Sequence, residues 1–353
     1  MTDRPEMTRI DTAEHEEVWR IADAAAGLTG FIAVHSTLLG PAAGGLRMRR
    51  YADEAEALED ALRLSRGMTF KNAAAGLPLG GGKAVILGDP AAKTEAQLRA
   101  FGRAIDALGG RYHTAEDMGM SPDDMAVIRT ETAHVAGLPD GAFASGDPSP
   151  VTARGIFQSI RTVARHRFGS PDLTGRRVAL QGLGHVGWDL AKRLKAAGAD
   201  LTVADMDPAR AAQAAASFGA DVAAPDAILG VEADILAPCA IGGILNAETI
   251  PALRVAAVCG GANNQLATAE DGAALHRRGI LYAPDYVVNA GGIVNVATEI
   301  LRIADRRAFV AEKLATLDAT LDAILSEAAR RVAGPETVAD GIVAERMRRP
   351  RAA

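Results

Sequence analysis

Two lysines, Lys71 and Lys83, stand twelve positions apart in the run GMTFKNAAAGLPLGGGKAVILGDP, residues 67–90. Their neighbours are apolar or small, and a lysine buried in such company loses hydration, so its pKa falls. The triplet Gly80, Gly81 and Gly82 directly before Lys83 permits positive φ and lets a ligand approach the backbone. One chemistry that fits is a small-molecule site with two positive charges, one holding an anion and one handling a proton. The other reading is a loop whose two lysines keep their ammonium groups in water.

A second constellation is more specific. Gly182-Leu183-Gly184-His185-Val186-Gly187 is a G-x-G-x-x-G between the apolar run Arg177–Gln181 and a helical pattern over Trp188–Ala197. A further strand pattern over Asp200–Ala204 ends at Asp205, 23 positions after the first glycine. Strand, glycine turn, helix, strand and acid together read as a dinucleotide site. The glycines allow the tight turn and the approach of a pyrophosphate, which the helix N-terminus favours. Asp205 accepts hydrogen bonds from ribose hydroxyls and repels a 2′-phosphate, which points to NAD rather than NADP. Two smaller signals lie upstream. In AAGGLRM, the backbone N–H groups of Gly44-Gly45 are placed to face a ligand. Ser121 and Asp124 make a helix start of the capping-box kind with Pro122 between them, whereas Asp117 precedes the cap, so capping does not explain it.

The elements that must position these residues follow from periodicity. A short helix is expected around Glu14–Ala25, a strand over Phe31–Leu39, and an amphipathic helix over Ala52–Arg66. After Lys83, the AVIL run reads as a buried strand closed at Gly88-Asp89-Pro90. Thr94–Leu108 is a second amphipathic helix, with Leu98, Phe101, Ile105 and Leu108 on one face. The stretch Gly137–Pro150, rich in Gly, Pro, Ser and Asp, is the expected hinge, followed by a helix over Val151–His166. Short strands at Ile235–Leu236, Val255–Cys259 and Ile280–Tyr282 continue an α/β alternation, and their following loops should line the cofactor crevice. A helical segment runs from Phe309 to Ala333 and another from Pro335 to Arg348.

Composition bounds the rest. A chain of 353 residues, 48% hydrophobic but only 4% aromatic, suits two domains whose cores are filled largely by alanine. A formal charge of −6 argues against a nucleic-acid partner, and the short basic tail Arg346–Arg351 reads as a solvated end. Cys239 and Cys259 have no metal or CxxC spacing and read as buried thiols in a reducing compartment; no metal site is expected. No apolar run reaches the roughly 18 residues of a membrane helix, and no signal peptide is recognisable. The expectation is a soluble, cytoplasmic protein.

The motifs LGPAAGGLRM, GMTFKNAAAGLPLGGGKAVILGDP, TAEDMG, GLGHVG, APCA, GGANNQLA and YAPDYVVNAGGIVNV occur in that order. With them the chain resembles the leucine, valine and phenylalanine dehydrogenases, a branch of the amino-acid dehydrogenase superfamily that includes glutamate dehydrogenase, over nearly its whole length. The resemblance implies an α/β fold of two domains with a catalytic cleft between them. Residues 1–140 would form a substrate-binding and oligomerisation domain and 141–330 a Rossmann-type NAD domain. Residues 331–353 would form a C-terminal helix returning towards the first domain. It implies that Lys71 binds the substrate carboxylate, with Gly44, Gly45 and Asn263 assisting, and that Lys83 and Asp117 are catalytic. Thr152, the 182–187 loop, Asp205, Cys239, Ala240, Asn263 and Asn289 would contact the cofactor.

For the substrate, the resemblance implies a side-chain pocket of Ala43, Met68, Ala115, Ile293 and Val296. Glutamate dehydrogenases carry a lysine at the position of Ala43, where it pairs with the side-chain carboxylate. An unpaired carboxylate in an apolar pocket costs several kcal/mol, which argues against glutamate. Leucine-type members often carry leucine there, so Ala43 enlarges the pocket, while TAED and AAAGLPLGGGK stand closer to the leucine-type enzymes. The activity implied is reversible NAD-dependent oxidative deamination of an apolar L-amino acid to its 2-oxo acid and ammonia, by a homo-oligomer. The alternatives are a non-catalytic NAD-binding sensor on the same fold and a dehydrogenase for another amino acid, such as tryptophan.

Overall fold

The structure, a computed structural model, describes residues 4–348; positions 349–351 of the basic tail lie outside the described residues. The chain divides into two compact units. The first comprises Met1–Asp147, Ile293–Val310 and Arg346–Ala353, and the second Pro148–Gly292 and Ala311–Glu345.

The first unit is built on a seven-stranded mixed sheet: β1 (Glu6–Arg9), β2 (Glu17–Asp23), β3 (Leu28–Ser36), β4 (Ala42–Ala43), β5 (Leu46–Arg49), β6 (Gly80–Leu87) and β7 (Tyr112–His113). The spatial order is β1-β2-β3-β6-β4-β7, with β5 also paired to β6. Helix α1 (Glu54–Ala74) covers one face, while α2 (Glu95–Ala107) and α3 (Pro122–Arg129) cover the other. The expected helix over Glu14–Ala25 is instead strand β2. Its apolar residues Val18 and Ile21 are three apart, a helical spacing. On a strand, an odd spacing sends two side chains to opposite faces. Val18 packs with Phe31, Ala57 and Ala61 on the α1 side, and Ile21 with Ile32, Phe101 and Ile105 on the α2 side. A strand buried on both faces thus shows the three-residue apolar spacing of a helix.

Two further expectations change around the lysines. Helix α1 begins at its Asp53 N-cap and runs past Gly67 to Ala74, so Lys71 sits in its last turn rather than in a loop. Gly76, at φ +61°, ends the helix instead. The glycine triplet is the start of strand β6, with no positive φ. Its glycines serve close packing. A Cβ on Gly81 would lie 2.1 Å from the Thr69 amide nitrogen, and one on Gly82 would lie 2.6 Å from the Tyr112 ring.

The second unit carries α4 (Ser149–Phe168), β8 (Arg177–Gln181), α5 (His185–Ala196), β9 (Asp200–Ala204), α6 (Pro208–Phe218), β10 (Asp221–Val222), β11 (Ile235–Pro238) and β12 (Ala257–Val258). It continues through α7 (Ala269–Arg277), β13 (Leu281–Tyr282) and α8 (Asp285–Val288). The helices α9 (Gly291–Ile300), α10 (Arg306–Arg331) and α11 (Pro335–Arg348) follow, and each crosses a unit boundary. Its six strands are all parallel, in the order β10-β9-β8-β11-β12-β13. Numbered within the sheet this is 3-2-1-4-5-6, the Rossmann order, whose switch point lies between β8 and β11. At the end of α11, Arg346, which belongs to the first unit, donates to the Ala74 carbonyl at 3.2 Å. Among the described residues no helix is long and apolar enough to cross a membrane.

Two histidines of the first unit tie its stability to pH. His35 (β3) shares a 2.8 Å hydrogen bond with Thr69, and burial, then the charges of His15 and Arg66, push its pKa down to about 4. His113 (β7) is pushed to about 4 by burial and then by His134, whose ring lies 5.0 Å away. Both rings fold neutral, while the unfolded chain takes up their protons near pH 6.5. Their contribution is therefore complete above pH 6.5 and is lost as pH falls towards 4. Thermal unfolding at pH 7.5, 5.5 and 4.5 should show the melting temperature dropping through this window. The double variant H35Q/H113Q should show a shallower drop, and an equally steep one would contradict this assignment.

Candidate active site

In the first unit, sheet register assembles the site. Strand β6 pairs in parallel with β4 at Gly80–Gly81 and with β5 from Ala84 onward, leaving Gly44-Gly45 as the gap opposite Gly82 and Lys83. On the far side of β4, strand β7 leads into Ala115, Glu116 and Asp117, with Glu116 bridging to Leu46. The result is an ion pair between Lys83 and Asp117. Lys83 is only 4% exposed. Burial is the largest influence on it and pushes its pKa well below the ordinary lysine value; the cations of Arg47 and Lys71 add to this and Asp60 opposes it. Contact with Asp117 favours the ammonium.

Gly44 and Gly45 are required by space. A Cβ on Gly44 would lie 1.9 Å from the Gly82 carbonyl oxygen and 3.0 Å from Met68 Cγ; one on Gly45 would lie 2.6 Å from the Glu116 carbonyl oxygen. The Gly44 amide donates to the His113 carbonyl at 3.2 Å and its carbonyl accepts the Tyr112 hydroxyl at 2.6 Å, so this residue is committed to the sheet. Ala43 is fully buried in β4. Ala115 and Val296 form one apolar cluster with Ala136, against which Ile293 and Ile300 pack. Thus Lys71, Lys83, Asp117, Gly44, Gly45, Ala43, Met68, Ala115, Ile293 and Val296 all belong to one unit.

The second unit carries the other expected residues: Thr152 in the first turn of α4, Asn289 at the C-cap of α8, and the rest in the segments after β8, β9, β11 and β12. Gly182, at φ +91°, turns the chain from β8 towards α5, and a Cβ there would lie 3.0 Å from the Ala240 nitrogen. Gly187 packs so closely that its Cβ would lie 2.0 Å from the Gly182 carbonyl oxygen. Gly184, the α5 N-cap, has open space around it and no capping side chain. His185 and Val186 open α5, and Leu183 is buried. Asp205 ends β9, its carboxylate accepting the Leu183 amide at 2.6 Å and the Asp207 amide at 2.8 Å. Beside it is a cavity of about 680 Å³ lined by Gly182, Asp205, Met206, Pro225, Ala240 and Ile241.

Across the switch point, Cys239 Sγ accepts the Gly261 amide at 3.4 Å, and burial pushes its thiol up to about 12, which leaves it inert as a nucleophile at neutral pH. Asn289 donates to Asn263 Oδ1 at 2.8 Å, while its own buried Oδ1 has no partner among the described residues. Thr152 donates to the Pro148 carbonyl at 3.0 Å and abuts the glycines Gly291 and Gly292. An open helix N-terminus, a glycine cradle that any Cβ would fill, and an orphaned amide oxygen fit a dinucleotide. Asn263, expected to assist the substrate carboxylate, is here paired with Asn289.

Residues 15–134 match the family described as Glu/Leu/Phe/Val dehydrogenase, dimerisation domain, and residues 208–337 match Glutamate/Leucine/Phenylalanine/Valine dehydrogenase. The chain is 50% identical to leucine dehydrogenase of Thermoactinomyces intermedius over 300 residues, covering 85% of this chain and 82% of the relative. It is 47% identical to leucine dehydrogenase of Geobacillus stearothermophilus over 339 residues, covering 96% and 92%. The crystal structure of L-tryptophan dehydrogenase from Nostoc punctiforme superposes with a TM-score of 0.83 at 40% identity, covering 95% of this chain and 96% of that one. The chain belongs to the Glu/Leu/Phe/Val dehydrogenase family. It is a nicotinamide-dependent amino-acid dehydrogenase, an oxidoreductase.

Two parts of this dehydrogenase's site escaped the sequence reading. Ala136 and Ile300 join the apolar cluster from segments that carry no motif. Arg47 on β5 bonds both Asp117, at 3.3 Å, and Asp60 of α1, at 3.1 Å. The available signal was Asp60 itself, which lies on the same buried stripe as Ala57 and Ala61, where a carboxylate needs a partner.

The glycine cradle makes a direct prediction. In G187A the new methyl must displace the Gly182 backbone, so affinity for the reduced dinucleotide should fall at least about tenfold, together with about 1–3 kcal/mol of stability. Titration followed by the fluorescence of Trp188, in the same helix, measures the first effect, and denaturant unfolding measures the second.

Proposed function

We propose that this enzyme catalyses reversible, NAD-linked oxidative deamination of an apolar L-amino acid, with Lys71 binding the substrate carboxylate, Lys83 acting as base and Asp117 holding the amine. The observation that carries this reading is the buried Lys83–Asp117 pair with Lys71 near enough to depress the Lys83 pKa. When bound, the nicotinamide supplies the hydride acceptor. The chain's own residues handle charge and protons. Lys71 offers a point charge that orients the carboxylate and with it Cα. The arriving substrate ammonium competes with Lys83 for the Asp117 carboxylate. Lys83 is then left among Lys71 and Arg47 in a buried setting, which favours release of its proton. Neutral Lys83 can take a proton from the water that attacks the iminium carbon, and Asp117 passes protons to and from the nitrogen as ammonia leaves.

An apolar substrate is supported by Ala43 and by the cluster of Ala115, Ala136, Ile293, Val296 and Ile300, none of which can pair with a side-chain carboxylate. The small side chains of Ala43, Ala115 and Ala136 are compatible with a bulkier apolar substrate, and one relative is named L-tryptophan dehydrogenase. Preference for NAD is supported by Asp205, whose carboxylate stands at the end of β9 beside the cavity, where a 2′-phosphate would meet its charge. We also propose a homo-oligomer, in line with the family description of residues 15–134 as a dimerisation domain, working in the cytoplasm, where free thiols such as Cys239 and Cys259 persist.

The test is NADH formation with a panel of L-amino acids. Leucine, valine or phenylalanine should be oxidised and glutamate not. K83A should lose turnover by about a hundredfold or more with NADH binding intact. Near-normal turnover in K83A would sink the assignment, and a purely cofactor-binding protein would show no activity in either direction. D205S should raise the efficiency with NADP relative to NAD by about tenfold, about 1.4 kcal/mol of discrimination.

A further inference from the structure

Asp117 does not meet its cations symmetrically. Its Oδ1 accepts the Met118 amide at 2.5 Å and two Arg47 nitrogens, Nη2 at 3.3 Å and Nε at 3.4 Å, while Oδ2 faces Lys83. Arg47 is in turn held by Asp60, whose carboxylate also takes the Tyr51 hydroxyl at 2.9 Å and Arg63 at 3.0 Å, with Arg49 at 3.8 Å. The Arg47 and Asp60 side chains are 13% and 6% exposed, so this guanidinium is fixed between two carboxylates away from bulk water.

We infer that Arg47, anchored by Asp60, is a positioning residue for deamination: it occupies Asp117 Oδ1 and thereby presents Oδ2 alone to Lys83 and to the substrate amine. The inference rests on the assignment of Lys83 and Asp117 proposed above. Two features make the arrangement selective. A carboxylate with one oxygen saturated can serve a single cation at the other, so amine binding and release of Lys83 become the same event. Arg47 also adds a fixed positive charge near Lys83. The charged groups that act on Lys83 are then Asp117 from the segment after β7, Arg47 from β5, and Lys71 and Asp60 from α1. Tyr51, Arg49 and Arg63 act on Asp60 from its outer side.

A chain of alternating charges predicts effects of opposite sign. Because Lys83 must be neutral to act as base, the rate rises with pH through its pKa. Removing the Arg47 cation should raise that pKa, and removing the Asp60 anion should lower it. The experiment is the pH profile of kcat/KM for oxidative deamination by the full-length enzyme, with R47Q, R47K and D60N beside K83A. R47Q should lose at least about tenfold in kcat and move the rising limb up by about half a pH unit or more. D60N should move the limb down. R47K, which keeps the charge but not the two-nitrogen grip, should keep the limb near its wild-type position while kcat stays depressed.

A rate lost evenly across pH in R47Q, or limbs moving the same way in R47Q and D60N, would reduce Arg47 to a packing role and overturn the inference. If R47Q is too slow or too unstable to profile, the positions of the R47K and D60N limbs decide. Normal turnover in K83A would instead overturn the underlying assignment, whatever the arginine variants do.

Discussion

A lysine ammonium that is 4% exposed has lost nearly all of its water, and the rest of the first unit is arranged to make that tolerable. Taking such an ion out of water costs several kcal/mol even after relaxation, and only well-placed opposite charge offsets it. Here the offset is a chain of alternating signs: Lys83, Asp117, Arg47, Asp60, and then Arg63 and Arg49 nearer the surface. Each member needs the next. An unpaired buried charge would be more costly than the pair it came from, so the chain can end only where side chains reach solvent. This constraint ties the chemistry on β6 to the outer part of α1, far along the sequence from the glycine triplet.

The same constraint explains the unusual density of small residues. For β6, α1, β5 and the segment after β7 to bring four charged side chains together, their backbones must approach more closely than Cβ atoms allow. The glycines at 44, 45, 80, 81 and 82 are the points of contact. Alanines at 42, 43, 57, 61 and 115 fill the remaining surface, which accounts for a core poor in aromatic residues. On the function proposed above, the same small side chains would serve substrate selection, because alanine, valine and isoleucine have no group with which to neutralise a second carboxylate.

In the second unit the demand is on shape rather than on charge. The turn between β8 and α5 holds Gly182 in a positive-φ conformation, Gly184 with open space around it, and Gly187 packed against the turn itself. Asp205 is immobilised by two backbone amides, one of them from Leu183 inside the glycine turn, so the acid and the glycine loop form one feature. Cys239 and Cys259 contribute volume, not reactivity, since burial keeps both thiols protonated.

Much of this was legible before any coordinates. The βαβ unit from Arg177 to Asp205, the capping box at Ser121 and Asp124, and helix α11 depend on local signals: a glycine where φ is positive, a cap where N–H groups are orphaned, an apolar period. The lysines announced themselves by their apolar company, and family resemblance separated their roles. What sequence could not supply depended on partners distant in the chain. Val18 and Ile21 share a spacing that suits a helix, and only a sheet covered on both faces turns them into a strand. The glycine triplet looked like a flexible loop because the need for those glycines lies in Thr69, Tyr112 and Ser36, which pack against them. No motif assigns a role to Arg47 or Asp60, and only tertiary structure brings them together between a sheet and a helix, where a buried charge must have a partner. Local chemistry determined which residues could act; packing decided which of them hold the others in place.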